Sequence, residues 1–70
     1  AGAQRVADRV RQALAADPAL AGAAIGAQGF EGGLVVLSGT PRSAAERNIA
    51  VDIARRVPGV REVVDRMAQP

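Results

Sequence analysis

LVVLSGTPRSAAERNIAVDIARRVPGVREVV, residues 34–64, contains in order an apolar run, a capped amphipathic repeat and a second apolar run. Leu34 to Thr40 reads as the strongest strand of the chain, with Val35 and Leu37 on one side and Leu34 and Val36 on the other. Ser38-Gly39 ends the apolar run, and Thr40-Pro41 carries the chain out of it. Ser43-Ala44-Ala45-Glu46 is a capping-box pattern, in which Ser43 caps the Glu46 amide and Glu46 reaches back. The helix it opens is expected to run to about Val57, burying Ile49, Ala50, Ile53, Ala54 and Val57. Val51, alone on its polar side, is expected at the surface. Arg55 and Arg56 suit the end of a helix, and Pro58-Gly59 stops it. Val60 to Met67 is then a strand, with Val63 and Met67 on one face and Val64 on the other. A strand, a helix and a strand in succession require a crossover, which makes the two strands parallel.

Upstream, Ala3 to Ala15 places Ala3, Val6, Ala7, Val10, Ala13 and Leu14 on one helical face. Arg5, Asp8 and Gln12 lie opposite, and Arg9 and Arg11 flank the stripe on its two sides. Pro18 disfavours a helical Asp17, so the helix stops there. Asp17 is suited to cap the short turn that follows, and Leu20 to pack back on the helix. Ile25 to Gln28 is a weak strand, poor in β-branched residues, and Gly29 to Gly33 is expected to form a hairpin loop with Phe30 at its tip. The result is an α+β fold of order α-β-β-α-β, in which both helices cover one face of a three-stranded mixed sheet. Val10, Leu14, Val35, Leu37, Ile49, Ile53 and Val57 are expected between the layers.

Seventy residues make one domain with a small core. It has neither Cys nor His, so disulfides, thiol chemistry and the usual zinc sites are excluded, and redox arguments do not fix a compartment. All nine basic residues are Arg, and the net charge of +2 is too small to argue for nucleic acid. The hydroxyls of Ser38, Thr40 and Ser43 have no neighbouring base, and the carboxylates pair with Arg at helical spacing, as in Asp8–Arg11 and Asp52–Arg56. These features point away from an enzyme. No apolar stretch approaches the ~20 residues that span a bilayer. The chain starts at Ala1 rather than Met, as expected of a domain excised from a longer protein or of a mature product.

Four phrases in order carry a resemblance to a known family: Val6 to Leu14 running into Asp17-Pro18-Ala19-Leu20, Val35-Val36-Leu37-Ser38-Gly39, Ile53-Ala54 through Val57-Pro58-Gly59-Val60, and Val63. This pattern resembles the BON domain over nearly the whole chain, as a single unit spanning residues 1–70 with its core at about 3–67. The resemblance implies the same α-β-β-α-β order. It also implies a non-catalytic binding module, without cofactor or metal, of the bacterial cell envelope, periplasmic or membrane-associated. Family members are found among lipoproteins, osmotic-stress proteins and outer-membrane pores. Anionic phospholipid, another envelope protein or a tandem domain are the implied partners. The chain departs from the family in a longer hairpin connection and in a first strand poor in Val and Ile.

Two surfaces are candidates for such binding. Arg5, Arg9 and Arg11 against Asp8 give the first helix a net basic surface that attracts anionic headgroups, although they also read as ordinary solvated arginines. Phe30 either inserts into lipid or a partner's pocket or folds back over the core. Leu34, Val36 and Val64, turned away from the helices, form an apolar patch suited to a protein interface. Nucleic acid is disfavoured: the GxxG loop of KH domains and stacking aromatics are both missing.

Overall fold

In a computed structural model of the chain, which describes residues 2–68, the elements follow the expected order. They are α1 (Gly2–Ala16), β1 (Ala24–Phe30), β2 (Leu34–Thr40), α2 (Ala44–Arg56) and β3 (Glu62–Asp65), with a 3-10 turn at Pro18–Leu20. The sheet order is β1-β2-β3, with β1 antiparallel and β3 parallel to the central β2. Ala7, Val10 and Leu14 form the buried stripe of α1. Asp17 caps the 3-10 turn by accepting the Ala19 amide at 2.9 Å, and Leu20 is buried in the core. Both helices lie on the sheet face that carries Ala27, Val35 and Leu37, and Met67 closes the same layer.

Several boundaries differ from the sequence expectation. β1 runs through Gly29 to Phe30, so the hairpin loop is only Glu31-Gly32-Gly33, turned by positive φ at both glycines. Gly29 belongs inside the strand because α1 crosses it closely: a β-carbon there would fall on the Ala3 carbonyl oxygen. β3 is shorter than Val60–Met67. The Arg61 and Glu62 amides both donate to the Gly33 carbonyl, at 2.7 and 3.2 Å, while at the other end Asp65 turns its carboxylate to the Met67 amide. Backbone contact with β2 nevertheless continues past β3, from the Arg66 amide to the Leu37 carbonyl and from Ala68 to Gly39.

The α2 face also sits differently. Ala50 and Ala54 are fully buried and Val57 nearly so, whereas Ile49 and Ile53 are only half-buried. At 100° per residue, the line through Ala50, Ala54 and Val57 faces the core, which puts both isoleucines on its flank. Alanines along this line suit the close approach of α2 to α1, to the 3-10 turn and to β3. Val51, expected at the surface, packs half-buried against the core from the other flank.

Ser43 caps α2 as expected, accepting the Glu46 amide at 3.1 Å. Glu46, however, reaches past Ser43 to the Arg42 amide at 2.6 Å, and its second oxygen takes the Arg42 Nε at 2.8 Å. Arg42 Nη2 in turn donates to the Ala21 carbonyl at 2.7 Å, which ties the start of α2 to the loop before β1.

Candidate functional site

Strand alternation gives the sheet two unlike faces. The helix-covered face carries Ala27, Val35, Leu37 and Val63. The register defines the open face: Phe30 pairs with Leu34, Gln28 with Val36 and Gly26 with Ser38 across β1 and β2. On the other side Leu34 pairs with Glu62 and Val36 with Val64. Arg66, two residues beyond Val64, joins Gln28, Phe30, Leu34, Val36 and Ser38 around a shallow depression on this face. The open face is thus a grid of four rows, Phe30–Leu34–Glu62, Gln28–Val36–Val64, Gly26–Ser38–Arg66 and, farthest from the hairpin, Ala24–Thr40.

Phe30 is the one large apolar side chain exposed among the described residues, at 46%. It is the last residue of β1 rather than a loop tip, because the pairing with Leu34 extends the strand to it. The side chain that the sequence suggested as a separate lipid contact therefore joins Leu34, Val36 and Val64, all half-buried, in one apolar patch. Glu62 and Arg66, two rows apart on the same face, are exposed and were not singled out by sequence reasoning. The signal that would have found them is the period-two alternation Glu62, Val64, Arg66.

The three arginines of α1 do not converge. Arg11 turns to the sheet, where its Nε donates to the Ala27 carbonyl at 3.0 Å and its Nη1 to Asp8 at 2.7 Å. Arg5 and Arg9 are exposed and have no ion pair or hydrogen bond among the described residues. Helical spacing puts Arg9 about 160° from Arg11 around α1. Phe30, at the end of the outer strand, borders a shallow depression that it shares with Arg11, away from Arg5 and Arg9.

Three further ion pairs lie elsewhere, among them Arg42–Glu46. Arg56–Asp52 at 2.6 Å is exposed, and Arg47–Asp65 at 3.2 Å links α2 to the end of β3. The Arg42 guanidinium, hydrogen-bonded to Glu46, holds that carboxyl below the usual carboxylate range, and the Arg42 amide adds to the effect. No group of three or more Asp or Glu side chains converges among the described residues. No described helix is long and apolar enough to cross a membrane.

A sheet with one face sealed by two helices and the other left open defines a small α+β contact domain. The BON domain family profile matches residues 3–69, and the chain belongs to that family. BON domains are in general binding modules rather than catalysts, and they occur in envelope-associated proteins. No curated protein is similar enough to the chain to count as a relative.

Proposed function

We propose that this chain is a non-catalytic binding module of the bacterial cell envelope that engages protein through the open face of its sheet. The observation that carries the reading is the pairing of Phe30 with Leu34, which unites the exposed aromatic with Val36 and Val64 on one surface. Interfaces are enriched in aromatic residues and Arg around an apolar centre, and this face offers Phe30, Arg66 and a Val–Leu centre. The absence of His and Cys from the sequence and the scatter of its carboxylates support a role without catalysis.

A photo-crosslinker placed at Gln28, in the row of Val36 and Val64, tests this against one at Gln12, on the outer side of α1. With a bacterial envelope fraction, adducts are expected from Gln28, absent from Gln12, and lost on Leu34→Asp or Val36→Asp with the fold retained by circular dichroism. Adducts from Gln12 alone would discard the sheet-face reading.

A second reading rests on Arg5 and Arg9, exposed and unpaired among the described residues, which favour attachment of α1 to anionic phospholipid. It predicts that co-sedimentation with phosphatidylglycerol vesicles falls with added salt and is lost on Arg5→Glu with Arg9→Glu. The chain has no Trp or Tyr to anchor such a contact at an interface.

A further inference from the structure

We infer that the open face is self-complementary and that a second copy of this chain is its occupant, which rests on the reading above and names its partner. The argument lies in the order of the three rows nearest the hairpin. The row nearest the hairpin is large and acidic, Phe30–Leu34–Glu62, and the third is small and basic, Gly26–Ser38–Arg66. Between them lies Gln28–Val36–Val64.

A two-fold axis lying between two such faces, across the strands and through the Gln28–Val36–Val64 rows, reverses strand direction, keeps the strand order and leaves Ala24–Thr40 outside the overlap. Each large row then lies over a small row. Phe30 stands over Gly26 of the second copy, where no side chain competes for space, and Leu34 over Ser38. Glu62 meets Arg66 of the second copy, twice per pair of chains. Val36 and Val64 face their own counterparts, and Gln28 faces Gln28, whose amide has both donors and an acceptor to exchange. Such self-matching is what an isologous contact requires. With the axis along the strands instead, β1 of one copy would lie over β3 of the other. Phe30 would then face Glu62, and that arrangement has neither match. Sheets stacked face to face keep their strands within about 30° of one another, which the antiparallel arrangement allows.

The three overlapping rows span roughly 14 by 20 Å at about 4.8 Å between strands and about 6.8 Å between rows, on the order of 300 Å². Stable interfaces bury about 800 Å² per partner, so the association is weak.

Sedimentation velocity and concentration-dependent amide shifts of the 70-residue chain, followed up to about 1 mM, test this by charge reversal. Glu62→Arg alone and Arg66→Glu alone each set like charges together twice, and each is expected to weaken association by about tenfold. Mixing the two singly substituted chains makes both contacts complementary again, and association is expected to return as a mixed pair. The doubly substituted chain is expected to associate with itself as the native chain does. A native chain that stays monomeric over this range would overturn the inference, as would single reversals without effect or a mixture that fails to recover. If Gln28 adducts persist while self-association is absent, the second copy is refuted and the sheet-face function stands. If both are absent, the two fall together.

Discussion

Arg47 Nε stands 3.2 Å from Asp65 Oδ2, joining the first turn of α2 to the last residue of β3. Its Nη2 also donates to the Met67 and Ala68 carbonyls at 2.8 and 2.6 Å, and the arginine side chain is only 15% exposed. A four-residue strand at the side of the sheet is thus tied at its exit to α2 by one guanidinium, beside its backbone bonds to β2. Arg47→Met, which keeps the packed stem, is expected to lower stability by about 1–3 kcal/mol, because several polar groups lose a charged partner. Arg56→Met, which removes the exposed pair with Asp52, is expected to cost less than about 0.5 kcal/mol. Urea unfolding of both variants checks this, and equal losses would remove the special role of Arg47.

Gly29 is required by the approach of α1. Gly29→Ala would push a methyl group into the Ala3 carbonyl, and the helix must lift to admit it. Overpacking of this kind costs about 1–3 kcal/mol. At Gly26 the added carbon meets only the Ser38 hydroxyl, at 3.3 Å, which can rotate away. Gly26→Ala is expected to change thermal stability little, or to raise it by up to about 1 kcal/mol through the unfolded chain. A similar loss at both positions would contradict the close crossing.

The centre of the core lies on Val10, Val35 and Leu37, all fully buried. Leu37→Ala is expected to cost about 2–5 kcal/mol. At about 0.05–0.15 kcal/mol per residue, that is a large share of the stability of a chain this size. Ile49→Ala, at the flank, is expected to cost clearly less. Circular dichroism melts that rank the two in the opposite order would show the helix seated on its isoleucines.

Glu46 has a lowered pKa, first from the Arg42 side-chain hydrogen bond and then from the Arg42 amide. Because the folded value lies below the unfolded one, this stabilisation is complete above the ordinary Glu range, near pH 4.3, and is lost as pH falls through the folded value. The melting temperature of the native chain should therefore exceed that of Glu46→Gln at neutral pH. The gap should narrow as the solution is acidified below about pH 4. A gap that stays constant with pH would mean that the carboxylate charge is not what holds Arg42.

The elements with strong local signals were legible: the Val–Leu run of β2, the Ser43 cap, the Asp17 cap and the Pro58-Gly59 stop. The true length of β1 was not. Ala24, Gly26, Ala27 and Gly29 have no β preference of their own, and the strand exists because β2 offers partners as far as Ala24 opposite Thr40 and Phe30 opposite Leu34. That pairing also decides where Phe30 sits, so the composition of the candidate site depended on a tertiary contact. For α2, apolarity alone nominated Ile49 and Ile53. The close approach that favours Ala50 and Ala54 is a property of the packed layers, which helical periodicity does not contain. Leu34, Val36 and Val64 were legible because alternation along a well-signalled strand leaves little choice of face.

The hydrogen bond from Arg11 to the Ala27 carbonyl has a bearing on how these domains meet. β1 is an outer strand, and an outer strand normally offers its free amides and carbonyls as a template on which further strands can zip, the route to open-ended fibrils. A charged side chain already occupying one acceptor midway along β1 interrupts that template. Lateral growth along β1 is thereby discouraged.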